Sequence, residues 1–177
     1  MHRRVLLGHM AAALLVPPLW PGFARADETG QEGLGGGVLL KATPEDWKEI
    51  LPEDRYRVLF EEATEPARSS PLDKQYDDGT YICAACYQPL FDSADKFDSG
   101  TGWPSFIRPL EGAMGTKRDF KLIWPRTEYH CSRCGGHQGH VFKDGPPPTG
   151  ERWCNNGLAL EFVPRGEPLP PLRDPGQ

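Results

Sequence analysis

The chain has 177 residues, with 38% hydrophobic residues, 19 prolines and 20 glycines, which suits one compact domain with many turns and irregular ends. Its net charge is −5, and the charge is more negative still without the three arginines among the first 26 residues. A body this acidic excludes nucleic acid and an anionic membrane surface as expected partners.

Residues 1–26 have the pattern of an export signal peptide. Two arginines near the N-terminus precede an apolar run over residues 5–20, and Ala24-Arg25-Ala26 is a small-x-small cleavage site. A membrane anchor is the alternative, but the run is shorter than the roughly 20 residues that span a bilayer, and polar and proline residues interrupt it. We therefore expect an exported protein, periplasmic or secreted, with no stable membrane anchor. The paired arginines also permit a twin-arginine route.

Residues 27–42 are glycine-rich and have too little apolar surface to offset the entropy of ordering them, so we expect a flexible linker. The domain is predicted to span residues 43–163 and to begin with two short helices. Thr43 is a good N-cap, with Pro44 at the first helical position, and a second helix is expected over residues 53–62. The apolar residues predicted to face inward are Trp47, Ile50 and Leu51 in the first helix and Tyr56, Leu59 and Phe60 in the second.

From residue 80 onward the sequence consists of short apolar or alternating runs separated by glycine, proline, aspartate and serine. This pattern predicts antiparallel strands joined by tight turns, and hence a mainly β domain. The candidate strands are residues 80–83, 120–124, 141–142 and 158–163. The tail, residues 164–177, has five prolines in fourteen residues and is expected to be extended and unpacked.

Four cysteines form two C-x-x-C pairs, Cys83 with Cys86 and Cys131 with Cys134, and each pair follows an aromatic residue and one spacer. Four thiolates in two such pairs supply a complete tetrahedral shell for zinc. The 44 residues between the pairs exceed the usual zinc-ribbon gap, so the fold itself must bring the pairs together. A closed four-sulfur shell would stabilise the fold and would not activate water.

Three other arrangements of these cysteines remain open. The pairs could form two disulfides, which an oxidising compartment favours, or one pair could be a redox-active C-x-x-C of the thioredoxin type. Alternatively, Cys131 and Cys134 could bind a metal together with two histidines, His137 and His140. Those histidines follow Cys134 by only three and six residues, which is closer than the spacing of about twelve residues in zinc fingers.

Cys154 is the fifth cysteine and is left free if zinc takes the other four. A lone cysteine is often only a small buried hydrophobic residue, but polar neighbours make this one a candidate nucleophile. Arg152 could lower the thiol pKa, and Asn156 could orient a polar group. His137 and His140 could move protons near neutral pH, although they could equally bind metal or be packed in the core.

A second unusual cluster surrounds Trp103, in the segment of residues 97–106. Gly100 and Gly102 permit a close approach of the backbone around the indole. The indole could form the wall of a small apolar pocket, or it could simply fill the core. Residues 143–150, rich in proline and glycine, are expected to form a rigid turn that leads the chain to the last cysteine.

Five motifs occur in order along residues 47–163: YxCxxC, FDSGTGWPSF, CxxCGGHxGHVF, DGPxPTG and RWCNN. In this combination the chain resembles the type B methionine (R)-sulfoxide reductases. The resemblance implies a mainly β fold in which two antiparallel sheets form a small barrel-like core, the β-tent, with short N-terminal helices and a structural zinc site. It also implies reduction of the R epimer of methionine sulfoxide, free or in oxidised proteins.

The resemblance further implies roles for individual residues. Cys154 corresponds to the nucleophile and Trp103 to the apolar wall beside the substrate methyl group. The proton-handling and orienting positions fall on His137, His140 and Asn156, and the supporting polar positions fall on Arg152 and Asp144. In such a reaction the thiolate attacks the sulfoxide sulfur while an acid protonates the departing oxygen, which yields methionine and a cysteine sulfenic acid.

The sequence departs from the family pattern at several positions. Thr101 stands where many relatives carry a resolving cysteine, so recycling is expected to need an external thioredoxin-like protein or a small thiol. The family often has an apolar residue at Asn155 and serine at Gly157, which leaves the polarity of the pocket open. Two other functions also remain open: a non-enzymatic zinc-knuckle module that binds a protein partner, and a thiol peroxidase.

Overall fold

A computed structural model describes residues 40–120 and 125–176 of the chain. The predicted export signal, residues 1–26, lies outside these residues. So do residues 27–39 of the predicted linker and all but the first residue of the strand predicted at 120–124. Within the described ranges, no helix is both long enough and apolar enough to span a membrane.

Two short helices begin the domain, as predicted: α1 is Pro44–Lys48 and α2 is Glu53–Glu61. The start of α1 is capped because the carboxylate of Asp46 accepts hydrogen bonds from the backbone N–H and the hydroxyl of Thr43, at 2.7 and 2.9 Å. The inward position predicted for Ile50 is wrong, because α1 ends before it and the side chain is 44% exposed. The other predicted residues, Trp47, Leu51, Tyr56, Leu59 and Phe60, are buried or partly buried.

The remainder of the described chain is mainly β and contains nine strands in two antiparallel sheets. In chain order the strands are β1 Gly79–Cys83, β2 Pro89–Asp92, β3 Lys96–Phe97, β4 Ser105–Phe106, β5 Met114–Asp119, β6 Arg126–Cys131, β7 His137–Phe142, β8 Arg152–Asn155 and β9 Leu160–Pro164. The smaller sheet has the order β2-β1-β9, and the larger sheet has the order β3-β4-β8-β7-β6-β5. The predicted fold class is confirmed.

Aromatic side chains join the two sheets. Phe91 on β2 stacks on Phe106 on β4 with their ring centroids 4.0 Å apart, and Tyr81 on β1 meets Phe106 at 5.0 Å. Tyr129 on β6 contacts Phe91 in an edge-to-face arrangement. All four rings are fully buried. Because large buried rings dominate the energetics of a core, this cluster fixes the two sheets against each other.

The last strand begins later than predicted. β9 starts at Leu160 rather than at residue 158. The preceding residues form a short 3-10 turn, in which the N–H groups of Gly157 and Leu158 donate to the carboxylate of Glu65 at 2.6 and 2.8 Å. Those two donors are therefore not available to a β ladder, and regular pairing with β1 starts only after them.

The C-terminal tail was predicted to be extended and unpacked; most of residues 164–172 are exposed, but the tail contacts the domain at Arg173. The backbone N–H of Arg173 donates to the carbonyl of Cys86 at 3.0 Å, and its own carbonyl accepts from the guanidinium of Arg133 at 2.6 Å. The Arg173 guanidinium also lies over the ring of Tyr87, 4.0 Å from its centroid. The end of the predicted linker is ordered too, since Leu40 donates to the Arg133 carbonyl at 2.8 Å. Backbone carbonyls of the two cysteine turns accept these hydrogen bonds from the tail and from the end of the linker. The amino-acid composition of the two segments does not predict such contacts.

Candidate active site and metal centre

The two C-x-x-C turns have the same local structure. Cys83 ends β1 and Cys131 ends β6, and the residue four positions after each cysteine donates its N–H to the cysteine carbonyl at 2.9 Å. Those donors, Tyr87 and Gly135, both have positive φ angles, 63° and 74°. The repeat seen in the sequence is therefore a repeat in structure, and the fold brings its two halves together.

The sulfur atoms of Cys83, Cys86, Cys131 and Cys134 all lie within 4.8 Å of one another. The Cys83–Cys134 and Cys86–Cys131 sulfur distances are both 3.6 Å. Zinc with bonds of about 2.3 Å holds four tetrahedral sulfurs about 3.8 Å apart, whereas a disulfide bond is about 2.0 Å long. The four cysteines are free thiols, so the arrangement could hold one metal ion and contains none of the disulfides considered as an alternative.

His137 and His140 are not part of this cluster. The Nδ1 atom of His137 lies 2.7 Å from a carboxylate oxygen of Glu128, and the Nε2 atom of His140 lies 2.8 Å from one of Asp119. In the part of the chain that the structure describes, the four cysteines are the only group with metal-binding spacing. The alternative in which the histidines complete the metal site therefore disagrees with the structure.

Cys154 lies on β8, inside the larger sheet. It pairs with Ser105 on β4 and with His140 on β7. Residues opposite each other in an antiparallel pair project to the same side of the sheet, and so do residues two apart along one strand. His140, Ser105 and Arg152 therefore share one face of the sheet with the thiol.

A cavity of about 140 Å³ opens beside Cys154. Trp103, His140 and Asn156 line it together with the thiol, so four of the seven predicted site residues meet in one place. The indole of Trp103 is therefore part of a cavity wall and does not fill the core. Four further lining residues were not identified from the sequence, namely Thr64, Arg126, Gly139 and Phe142.

Gly139 allows β7 and β8 to lie close together at the site. A side-chain carbon at this position would collide with the backbone carbonyl of Cys154. The glycine between the two histidines is therefore required for β7 to bring His140 directly beside the thiol.

Backbone groups hold Trp103 and Asn156 in place. The indole N–H of Trp103 donates to the carbonyl of Glu65 at 3.1 Å. The side chain of Asn156 accepts from the N–H of Glu65 at 3.2 Å and donates to the carbonyl of Gln138 at 3.1 Å. These contacts fix two walls of the cavity.

The other three predicted residues do not line the cavity. His137 is 3% exposed, and its ring packs edge to face against that of His140 with 5.4 Å between centroids. Arg152 forms two hydrogen bonds of 2.9 Å with the carboxylate of Asp144, and its guanidinium lies over the ring of Phe142. His137 and Arg152 therefore support residues that do line the cavity.

Burial and charge act in opposite directions on the Cys154 thiol. Burial raises its pKa, the positive charge of Arg152 and hydrogen bonds with Thr101 and Ser105 lower it, and the resulting pKa is above the ordinary thiol value. Arg152 does lower the pKa of the thiol, as predicted, but burial raises that pKa by more. For His140, burial lowers the pKa below its ordinary value, while a hydrogen bond to a carboxylate opposes that change.

We expect alkylation of Cys154 by iodoacetamide to have a pH midpoint above the ordinary thiol value of about 8.5, because burial raises the pKa. Arg152→Met removes the opposing positive charge and should move the midpoint further upward. Alkylation rates followed by peptide mass spectrometry measure both midpoints. Arg57→Met, on the exposed side of α2, is the matched control and should leave the midpoint unchanged. A midpoint that moves downward in Arg152→Met would contradict the role assigned to its charge.

In this β domain the Cys154 thiol is separate from the four-cysteine cluster and lies beside His140 in an open cavity. A purely structural module has no use for that arrangement, so the fold and site define a thiol-dependent oxidoreductase. The SelR domain model matches residues 51–164. The chain therefore belongs to the SelR domain family.

Curated relatives share about half of the aligned residues. The chain is 50% identical over 124 residues to the peptide methionine sulfoxide reductase MsrB of Leptospira interrogans, which covers 70% of this chain and 95% of that protein. It is 50% identical over 127 residues to the protein of the same name from Pseudomonas syringae, covering 71% and 97%. With that of Agrobacterium fabrum it shares 48% over 120 residues, covering 67% and 89%. The resemblance inferred from the five motifs is confirmed.

Proposed function

We propose that this chain reduces the R epimer of methionine sulfoxide to methionine, as the free amino acid or within oxidised proteins. The observation that carries the proposal is the cavity that Cys154 shares with Trp103 and His140. An indole suits the methyl group next to the sulfoxide, and a histidine beside the thiol suits proton transfer to the sulfoxide oxygen. Relatives at about half identity bear the name peptide methionine sulfoxide reductase.

The proposed reaction moves one oxygen atom between two sulfur atoms. The Cys154 thiolate attacks the sulfoxide sulfur and forms a sulfur–sulfur bond while the oxygen takes up a proton. Transfer of that oxygen to the cysteine sulfur then breaks the sulfur–sulfur bond, which releases methionine and leaves a sulfenic acid on Cys154. The sulfoxide is thereby reduced by two electrons to the thioether of methionine, and the cysteine sulfur is oxidised by two electrons. Because the oxygen of a neutral sulfoxide is a poor leaving group, this step needs an acid.

His140 is the proposed acid. Its Nε2 atom lies 2.8 Å from a carboxylate oxygen of Asp119, so Nε2–H donates to that carboxylate and Nδ1 is left unprotonated to accept the transferable proton. Burial lowers the pKa of His140 and raises that of Cys154, so the resting pair is a thiol and a neutral imidazole. Transfer of the thiol proton to the imidazole then generates the nucleophile and the acid together.

We also propose that the four-cysteine centre holds a structural zinc ion. The all-sulfur donor set and the 3.6 Å sulfur distances support this assignment, and four protein ligands leave no open position for substrate. The side-chain amide of Gln138 lies 3.6 Å from the sulfur of Cys83, a contact that suits a metal-bound thiolate. When bound, zinc would contribute to the stability of the fold.

Recycling of the sulfenic acid is proposed to use an external donor. The chain has five cysteines, and zinc would occupy four of them. A thioredoxin-like dithiol or two molecules of a small thiol would reduce the sulfenic acid to the thiol, with release of water and formation of a disulfide in the donor. Because the leader over residues 1–26 has the pattern of an export signal, we propose that this donor acts outside the cytoplasm.

Turnover of the separated R and S epimers of methionine sulfoxide, with dithiothreitol as reductant, tests the proposed function. We expect turnover of the R epimer and a value of kcat/KM at least about a hundredfold lower for the S epimer, since only one epimer can direct both its methyl group to the indole and its oxygen to the acid. Hydrogen peroxide serves as the alternative oxidant. Faster turnover with peroxide than with the R epimer would contradict the proposal and favour a thiol peroxidase.

A further inference from the structure

Glu65 is a buried carboxylate that belongs to none of the five motifs. It lies in the loop after α2, and only 4% of it is exposed. Every polar group of this residue, from the backbone N–H to the two carboxylate oxygens, is engaged with the site or with the turn that follows it. A buried carboxylate without hydrogen-bond partners would strongly destabilise the fold. The hydrogen bonds from Gly157 and Leu158 therefore explain why a glutamate is tolerated at this buried position.

The carboxylate holds the turn between β8 and β9. One oxygen accepts from the N–H of Gly157 at 2.6 Å and the other accepts from the N–H of Leu158 at 2.8 Å. Both donors come directly after Asn156, whose side chain lines the cavity. Hydrogen bonds to an ionised acceptor are shorter and stronger than those between neutral groups, so the carboxylate fixes the backbone on which Asn156 sits.

The backbone of Glu65 contacts two cavity walls directly. Its N–H donates to the side-chain oxygen of Asn156 at 3.2 Å, and its carbonyl accepts from the indole N–H of Trp103 at 3.1 Å. Trp103 and Asn156 are 53 positions apart in the sequence. Glu65 therefore sets the distance between Trp103, an apolar wall of the cavity, and Asn156, a polar wall. These two residues come from different parts of the fold.

We propose that Glu65 is a positioning residue, which fixes Asn156 through the β8–β9 turn and thereby sets its position relative to Trp103. This inference rests on the proposed function, since its consequence is the correct presentation of a methionine sulfoxide to Cys154. Glu65 does not itself line the cavity beside Cys154. It acts through the residues that do, and a small displacement of such residues is enough to slow a reaction by about a hundredfold.

Glu65→Gln tests the role of the carboxylate. The amide keeps the shape of the side chain but presents an NH2 group to one of the two N–H donors, so one hydrogen bond is lost and a repulsive contact replaces it. We expect kcat/KM for methionine (R)-sulfoxide to fall between about tenfold and a hundredfold, and the indole N–H resonance of Trp103 to shift. Glu161→Gln is the matched control, because Glu161 and Glu65 line one surface groove that is separate from the cavity beside Cys154, and Glu161 pairs with Arg55 there. It should change neither quantity.

A double-mutant cycle separates positioning from a general loss of structure. If Glu65 acts through Asn156, then Glu65→Gln should have much less effect on kcat/KM when Asn156 is already alanine. Equal effects of Glu65→Gln in both backgrounds would overturn the proposal, and so would an unchanged kcat/KM in Glu65→Gln alone.

The wild-type protein provides a test that needs neither a folded variant nor enzyme activity. The amide protons of Gly157 and Leu158 should exchange slowly with solvent, and their NMR shifts should titrate together with the Glu65 carboxylate. Burial raises the pKa of that carboxylate, so the titration should occur above the ordinary glutamate value of about 4.3. Fast exchange of both amides would overturn the proposal even in an active enzyme. If both amides exchange slowly but the protein does not reduce the R epimer, the hydrogen bonds to Glu65 are supported and only the proposed function is contradicted.

Discussion

Cys154→Ser should abolish turnover of methionine (R)-sulfoxide, lowering kcat/KM by at least about a thousandfold. A serine hydroxyl releases its proton far less readily than a thiol, so transfer to His140 cannot produce an effective nucleophile. Oxygen also cannot be oxidised to a sulfenic acid, so the second half of the cycle is lost as well. Because Cys154 borders a cavity, the smaller oxygen should leave folding intact. Steady-state assays and thermal denaturation measure the two effects separately.

A single-turnover experiment tests the same step directly. Wild-type protein treated with excess methionine (R)-sulfoxide in the absence of thiols should gain one oxygen atom at Cys154, which dimedone labelling and mass spectrometry can locate. The Cys154→Ser protein should gain none. Retained turnover in the serine variant would remove Cys154 from the mechanism. A disulfide between Cys154 and another cysteine of the same chain would contradict recycling by an external thiol.

The four-cysteine cluster could be predicted from the sequence because each half of it is local. Both C-x-x-C pairs carry their own turn and the same preceding aromatic residue, so the pattern is visible without the fold. The meeting of the two halves could not be predicted in the same way. β1 and β6 belong to different sheets, and it is the packing of Tyr81, Phe91, Phe106 and Tyr129 across the core that brings their ends together.

The candidate active site could be predicted only for residues inside unusual motifs. The carboxylates that support it were missed: Glu65 holds the β8–β9 turn, Asp119 contacts His140, and Glu128 contacts His137. Acidic residues are common in loops and on exposed strand faces, and these three are set apart by burial, with exposures of 4, 9 and 2%, together with their hydrogen bonds to the site. Burial depends on contacts between distant segments, which the sequence pattern does not contain.

Asn155 shows why a departure from a family pattern is hard to interpret alone. Its side chain accepts from the hydroxyl of Tyr129 at 2.9 Å and donates to the side-chain oxygen of Gln138 at 3.2 Å. All three residues are buried, so two other polar residues satisfy the polar side chain. Gly157 has a similar explanation, since a side chain there would collide with Ser70. Asn155 and Gly157 therefore each lie against residues that are distant in the sequence.

If the four cysteines bind zinc as proposed, Cys86→Ser should abolish metal binding and unfold the domain. A structural zinc ion contributes roughly 10 to 16 kcal/mol in zinc-finger peptides, which matches or exceeds the roughly 5 to 15 kcal/mol that stabilises a typical domain. Cys86 is fully buried, so a serine that cannot complete the zinc shell would also leave a buried hydroxyl beside three buried thiols that no longer bind a metal. Zinc content by atomic absorption and circular dichroism during heating measure the two losses. Wild-type protein should contain one zinc ion per chain.

Cys154→Ser is the matched control for Cys86→Ser, because both replace one sulfur by oxygen in the same protein. Both variants should lack reductase activity, but only Cys86→Ser should lose zinc and the cooperative thermal transition. That difference follows from a division of roles in which four sulfurs bind metal and the fifth reacts. A Cys86→Ser protein that is free of metal, folds cooperatively and reduces methionine (R)-sulfoxide at the wild-type rate would show that the metal centre is not needed for the fold.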